Sequence, residues 1–367
     1  MGPLVTTQGQ TFVDRSGRPV VLRGVDVHSL DPAIYEQATA LGANFMRVAV
    51  PWSDYEPLAP TGVDHHWNES ALAQLDALVR FCDGAHINVL LDFHQHGWSP
   101  YFSALAPAGR ANGIPAWFYA DGRYPDTPIG LDRAKRDFFQ NPVAAELYGQ
   151  FAQMIANRYR NSPSVMGYEI LNEPDPGDLL PRNHRTTQLV VDWETGILDD
   201  LRAVDPVRTV VFMTRGGPSM GALHANLQSF GSLDHLALDV HDYFGGTGGS
   251  GYKPNGENVS RQYTSTLLGL PYNGSAQSQA QYLEVDLSAA RRWDIPMIVG
   301  EWGAKRTADG LGIYQAQMVH VLASLGLSWA RWSLDPIEPL GLLTRQGALT
   351  PAAVQLRRLL ARPLPSG

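Results

Sequence analysis

Eight short, largely apolar runs, each followed by a longer stretch of helical character, recur along the 367 residues of this chain. The runs are Val21–Val27, Asn44–Val50, Asn88–Phe93, Val165–Leu171, Thr209–Met213, Leu236–Val240, Pro296–Gly300 and Ser328–Ser333. They do not alternate apolar with polar, so they read as strands buried on both faces of a parallel sheet. The segments between them read as helices over Asp31–Gly42, Ser70–Asp83, Pro142–Arg160, Thr187–Val204, Ser219–Leu227, Ala276–Trp293, Gly310–Leu325 and Pro351–Leu360. The first of these carries its own start signal, Asp31 as N-cap with Pro32 at the first helical position. Eight strand-then-helix units predict an α/β fold closed as a (β/α)8 TIM barrel. A β-hairpin precedes it, Thr11–Asp14 turning at Arg15–Arg18 into Pro19–Val21, and is expected to plug the barrel floor. We read one domain over 1–367, with the hairpin at about 10–21 and the barrel at about 21–362, and long βα loops over the C-terminal face.

Charge and cysteine content narrow the class. Lys+Arg number 28 against 36 Asp+Glu, a net charge of −8, with no basic stripe to neutralise phosphates. A nucleic-acid partner is therefore not expected. No apolar run approaches the roughly 20 residues needed to span a bilayer. Cys82 has no second cysteine to bridge to and is expected as a buried small hydrophobe on a helix. The start, Met1-Gly2-Pro3-Leu4, has neither a basic nor an apolar leader region. That leaves two compartments open, the cytoplasm or secretion with the signal peptide removed. Oligomeric state is left open as well.

In a barrel of this kind chemistry sits at the C-terminal ends of the strands. There the sequence places Asp26-Val27-His28, Arg47 through Trp52, Asp92-Phe93-His94-Gln95-His96, Asn172-Glu173-Pro174, Met213-Thr214-Arg215, His241-Asp242-Tyr243, Glu301-Trp302-Gly303 and Arg331-Trp332-Ser333. Glu173 ends strand four and Glu301 ends strand seven, so the two face one another across the mouth. One protonated and one ionised carboxyl is the pair that acetal cleavage requires, and a gap of roughly 5 Å is expected for a double displacement. The charge on Glu301 is expected to raise the pKa of Glu173. Asn172 is placed to meet a sugar 2-hydroxyl, and Tyr243 to hold Glu301 ionised. Two other readings stand beside this one. Histidines at His65-His66 and His94-x-His96 suggest a metal-dependent amidohydrolase-type barrel, although the fifth strand offers no histidine. A non-catalytic carbohydrate-binding barrel is the third. The glycosidase reading calls for no metal and no cofactor.

These residues carry a resemblance. Leu171-Asn172-Glu173-Pro174, Val299-Gly300-Glu301-Trp302-Gly303 and His241-Asp242-Tyr243, with Arg47, His94 and Trp332, resemble glycoside hydrolase family 5, the retaining clan of barrel glycosidases. The resemblance runs from about residue 10 to 360. It implies a β-glycosidase with a carbohydrate or glycoconjugate substrate, Glu173 as acid/base and Glu301 as nucleophile. It further implies Arg47, His94, Asn172, His241 and Tyr243 as the polar shell and Trp332 as a platform under the reacting sugar. Leu91-Asp92-Phe93-His94-Gln95, Asn112 through Trp117 and Gly167 through Pro174 are similar to the endoglycoceramidase and glycolipid β-glucosidase branch. His96 stands where that branch commonly has Asp, and the last helix ends near residue 360, where the branch usually continues into a β-sandwich.

Two loops bear on substrate choice. The connection from about Gly97 to Asn141 carries Trp98, Tyr101, Phe102, Trp117, Phe118 and Tyr119. Loops this long are uncommon unless they line a site. A wall of subsites is the expectation, with Trp117 among its binding residues. The run Gly245–Tyr252 is Gly-rich but lacks the Lys-Ser/Thr that would make it a phosphate cradle.

Overall fold

The computed structural model describes residues 3–102, 111–177, 184–214, 225–243, 263–264, 271–272, 276–306, 311–336 and 340–362. The barrel strands are β3 (Arg23–Val27), β4 (Phe45–Ala49), β5 (Asn88–Asp92), β6 (Val165–Glu169), β7 (Thr209–Phe212), β8 (Leu236–Asp242), β11 (Met297–Trp302) and β12 (Ser328–Arg331). They close in the order β11-β12-β3-β4-β5-β6-β7-β8, every neighbouring pair parallel. The predicted eight-stranded barrel is present. Outside it, β1 (Val5–Gln8) pairs antiparallel with β2 (Thr11–Asp14), and β9 (Tyr263–Thr264) with β10 (Pro271–Tyr272).

The hairpin differs in its partner. The strand Thr11–Asp14 pairs with Val5–Gln8, and Pro19 adds only a single bridge to Val13. The bridge is flanked by Asp14 N–H to the Arg18 carbonyl at 2.9 Å and Val20 N–H to the Phe12 carbonyl at 2.8 Å, so Pro19 sits where its missing N–H is not called on and the downstream arm is a short one. Val5 and Phe12 nevertheless pack with Phe45, Leu90, Met166, Val211, Ala237, Ile298 and Ala330, the apolar side chains that fill the barrel floor. The plug is real.

Helices start where side chains can satisfy their first N–H groups. Asp31, Asn68, Thr127, Asn141 and Thr350 each accept from a backbone N–H in the first turn. The first expected helix is two pieces, Pro32–Tyr35 and Gln37–Leu41, and Gly42 ends it in the left-handed region at φ 80°. A helix not foreseen, Pro128–Phe138, lies inside the long connection after β5. The expected helical stretch at Ser219–Leu227 falls mostly outside the described residues, as do Arg215 and the Gly-rich run. Cys82 is buried on the helix Glu69–Ala85, and burial pushes its thiol up to about 12. No described helix is long and apolar enough to cross a membrane.

Candidate active site

Above the apolar floor, alternation along the strands turns a ring of charged side chains into the barrel. Arg47 of β4 is its centre, 1 % exposed. Its Nε and Nη2 donate to the two oxygens of Glu169, at 2.7 and 2.8 Å. Nη2 also donates to Asn172 Oδ1 at 2.7 Å. Nη1 donates to Glu301 Oε1 at 2.9 Å and Asp26 Oδ1 at 3.2 Å, with Asp92 Oδ2 at 3.1 Å. This buried guanidinium is a strut for Glu169, Asn172, Glu301 and Asp26.

Glu301 faces inward because of a bulge. On β8 and β11, Val299 pairs with Val240 but Glu301 pairs with His241, so Gly300 is an extra residue. Without it, strict alternation would put Ile298 and Gly300 inside and Glu301 among the helices. The Gly300 N–H donates to Asp239 Oδ1 at 2.6 Å, and a Cβ at that position would sit 2.0 Å from Asp239 Oδ2. Only glycine fits. Tyr243 donates its hydroxyl to Glu301 Oε2 at 2.6 Å, as its position implied.

Glu173 lies just past β6 at φ 41°, a strained conformation for a residue with a side chain. Gln95 Nε2 holds this corner by donating to the carbonyls of Asn172 and Glu173, at 3.1 and 3.2 Å. The Glu173 side chain is 41 % exposed, against 6 % for Glu301. His241 Nδ1 lies 2.8 Å from Glu173 Oε1 and 3.5 Å from Glu301 Oε2. Facing atoms of Glu173, His241 and Glu301 all lie within 4.8 Å of one another. The two carboxyls do meet across the mouth at short range.

The protonation order is the reverse of the expected one. Burial pushes Glu301 up to about 7, against the pull of His241 and Arg47. Burial also acts upward on Glu173, but the hydrogen bond and charge of His241 win and bring it down to about 2. The imidazole is the reason. Burial alone would discharge His241, yet Glu301, Asp239 and Glu173 together hold its pKa well above the usual value.

His94 turns inward, its Nδ1 2.6 Å from Asp92 Oδ2, and burial keeps it neutral. Its ring stacks on half-buried Trp332 at 5.4 Å, and His28 meets both edge-on. His96 is exposed whereas His94 is buried, and among the described residues neither belongs to a cluster with metal-ligating geometry. His65 bonds Glu56 Oε1 at 2.7 Å and Gln150 Oε1 at 3.0 Å. Glu169, Asp239 and His241 also crowd together, but Glu169 spends both oxygens on Arg47, whose charge occupies the place an ion would take.

In the long loop, Trp98, Phe102 and Tyr119 are core residues rather than a subsite wall. Trp117 is half-buried, its ring edge-on to Trp52 at 5.5 Å and its Nε1 donating to the Glu56 carbonyl at 2.8 Å. The charged ring of Asp26, Asp92, Glu169 and Asp239 went unassigned in the sequence. Its signal was there. Asp-x-His recurs at Asp26–His28, Asp92–His94 and Asp239–His241, and a spacing of two puts both side chains on one face of a strand. Asp335, which accepts from the backbone of His28 and Ser29 at 2.9 and 2.7 Å, had no such signal.

A parallel barrel with opposed carboxyls at the ends of its fourth and seventh strands defines a class, the barrel glycosidases. Within that class the chain belongs to glycosyl hydrolase family 5, whose Cellulase family model matches residues 13–337. It is similar to an endoglucanase of Paenibacillus polymyxa, 22 % identical over 90 % of this chain and 79 % of that one. It is also similar to endoglycoceramidase I of Rhodococcus hoagii, 28 % identical over 48 % of this chain and 38 % of that one. Mannan endo-1,4-beta-mannosidase A of Podospora anserina is 24 % identical over 41 % of this chain, and the matched part spans 33 % of that protein. Among solved structures, an endogalactoceramidase superposes with a TM-score of 0.77 at 21 % identity, covering 98 % of this chain and 85 % of that one. Endo-glycoceramidase II from Rhodococcus sp. does so at 0.72 and 22 %, covering 94 % and 80 %. At these identities the superpositions bear on the fold.

Proposed function

We propose that this glycosidase is a retaining enzyme that hydrolyses β-glucosides or related β-glycosides by double displacement, with Glu301 as nucleophile and Glu173 as acid/base. The observation that carries the reading is the short gap between the two carboxyls, their facing atoms within 4.8 Å. A double displacement needs the pair about 5 Å apart, whereas direct attack by water needs a wider cleft.

The division of roles follows from the neighbours. Glu301 receives N–H and O–H donors from Arg47 and Tyr243, one on each oxygen, which holds it as an oriented anion. Glu173 is the more exposed member, at the rim where a leaving group meets water. Asn172 spends one amide N–H on the Gln95 carbonyl and keeps a second for a sugar hydroxyl. Trp332, backed by His94, supplies the flat face under the reacting sugar, and His94, His241 and Tyr243 line its polar side. Trp117 forms part of the wall further out.

The substrate class is an oligosaccharide, a glucan or a glycoconjugate with an apolar aglycone. The relatives named above are a mannan endo-1,4-beta-mannosidase, an endoglucanase and an endoglycoceramidase, and the endoglycoceramidase-like segments around His94, Trp117 and Glu173 favour a glycolipid-type aglycone.

Azide rescue tests the roles. In Glu301→Gly, azide should attack a β-glycosyl fluoride in one inversion and yield the α-glycosyl azide. In Glu173→Ala, an activated aryl glycoside still forms the covalent intermediate, and azide should yield the β-glycosyl azide. Exchanged stereochemistry would exchange the roles. Rescue in neither folded variant would remove the double displacement.

A further inference from the structure

Asp239 stands two residues before His241 on β8, so both side chains enter the barrel one above the other. The Asp239 carboxylate has a fixed orientation, because Oδ1 accepts the Gly300 N–H of the bulge at 2.6 Å. Oδ2 is thereby presented to His241 Nε2 at 3.5 Å. Neither atom has a hydrogen-bond partner elsewhere among the described residues. The other ring nitrogen, Nδ1, lies 2.8 Å from Glu173 Oε1. An imidazole is thus held between two carboxylates, one buried in the charged ring above the barrel floor and one at the mouth.

We propose that Asp239 is a positioning residue that keeps the Nε2–H of His241 in place, so that Nδ1 is the atom that hands a proton to Glu173 and takes it back in each turnover. The inference rests on Glu173 being the acid/base. It resolves a conflict in the site, since an acid must arrive protonated and Glu173 is held ionised. The proton is stored next door. It passes from Nδ1 to Glu173 Oε1, leaving a neutral ring whose remaining N–H points to Asp239. Glu173 then gives it to the glycosidic oxygen as the bond from that oxygen to the anomeric carbon breaks and Glu301 bonds to the same carbon. In the second half, water bonds to the carbon and yields a proton to Glu173, while Glu301 departs with its electron pair. The proton returns to Nδ1. The same logic, a buried carboxylate fixing which imidazole nitrogen exchanges the proton, operates in hydrolytic triads.

The charge of the ring is set from several sides. Asp239 faces it from its own strand, Glu173 and Glu169 from the end of β6 and Glu301 from β11, with Arg47 Nε 3.7 Å from Asp239 Oδ2, Asp92 and Asp26 on the far side of Arg47, and neutral His94 alongside. Asp239 is the one aligned with Nε2.

Asp239→Asn tests this, since it keeps an acceptor for Gly300 and removes the charge. The His241 titration, followed by nitrogen NMR of labelled histidine, should move down by about one unit or more, the usual effect of losing a neighbouring opposite charge. The alkaline limb of kcat/KM should move down with it. Aryl β-glycosides with poor leaving groups should lose about tenfold more rate than activated ones, because only they need the acid. An unmoved His241 titration, or equal losses on both substrates, would overturn the inference. The unmodified protein gives a check that needs no variant. At high pH the nitrogen spectrum of His241 should show the Nε2–H tautomer, and an Nδ1–H tautomer would equally overturn it. Failure of the relay and failure of the underlying roles are separable. The β-glycosyl azide from Glu173→Ala with an unmoved Asp239→Asn profile sinks the relay alone, whereas no azide product sinks the role assignment.

Discussion

Arg47 has five N–H groups, and the barrel supplies an acceptor for each one: two on Glu169 and one each on Asn172, Glu301 and Asp26. A planar fork so occupied orients Glu301 and the residue before Glu173 at once, which a lysine could not do. Tyr243 is the second donor to Glu301, and hydrogen bonds to charged groups contribute about 1.5–3 kcal/mol. Tyr243→Phe should therefore lower kcat by roughly 10–100-fold. It should also raise the acid limb of the pH profile, because Glu301 loses a group that favours its ionised form. That limb has a definite position. Glu301 titrates at about 7 and must be ionised to attack, so kcat/KM for a β-glucoside should fall as pH drops through 7. A limb near pH 4 would show that other charges in the barrel discharge before Glu301 does.

Elements aim these residues. The bulge at Gly300 turns Glu301 from the helix side to the mouth, and Gly300→Ala places a methyl group against the Asp239 carboxylate. Loss of both thermal stability and activity is expected, with the melting temperature as the check. Elements also separate packing from recognition in the long loop after β5. Trp98, Phe102 and Tyr119 anchor it in the core, leaving Trp117 half-exposed. Trp117→Ala should cost an oligosaccharide or glycolipid roughly tenfold more in kcat/KM than a small aryl glycoside, since binding energy from remote groups is used at the reacting centre. Equal losses would assign the tryptophan to packing against Trp52. The helix ends were legible because caps are local: Asp31-Pro32 and Thr350-Pro351 announce themselves. The hairpin partner was not, because β1 and Pro19–Val21 both offer plausible arms and only pairing across the barrel floor separates them.

For the whole molecule, the buried carboxyls couple folding to pH. Burial lifts Asp242 to about 7, Asp286 to about 8 and Glu301 to about 7, whereas unfolded carboxyls titrate near 4. A raised folded pKa gives stability that is present at low pH and lost as pH rises through the folded value. His241, also raised, acts with the same sign. His28 and His94, held neutral, work the other way but only below their ordinary range near 6.5. The melting temperature should therefore drop by several degrees from roughly pH 6.5 to 8.5. Asp286→Asn, which removes one of these groups away from Glu173 and Glu301, should flatten that slope. A melting temperature that climbs over the same range would refute the account.

The sequence by itself determined the barrel, its strand ends and the pair Glu173 and Glu301, because period and order along the chain are local and a closed parallel barrel maps them onto one mouth. It also carried Tyr243 to Glu301, two neighbours in adjacent strands. The tertiary structure alone decided which way charge flows among them. Glu301 is high because it is buried, beyond what Arg47 and His241 offset, and Glu173 is low because His241 donates to it; such balances depend on distances of a few ångströms between strands far apart in sequence. The same holds for the loop aromatics. Composition placed six of them over the mouth, and only packing could say that three were core, since a tryptophan against a sugar and a tryptophan against Phe138 are written with the same letter.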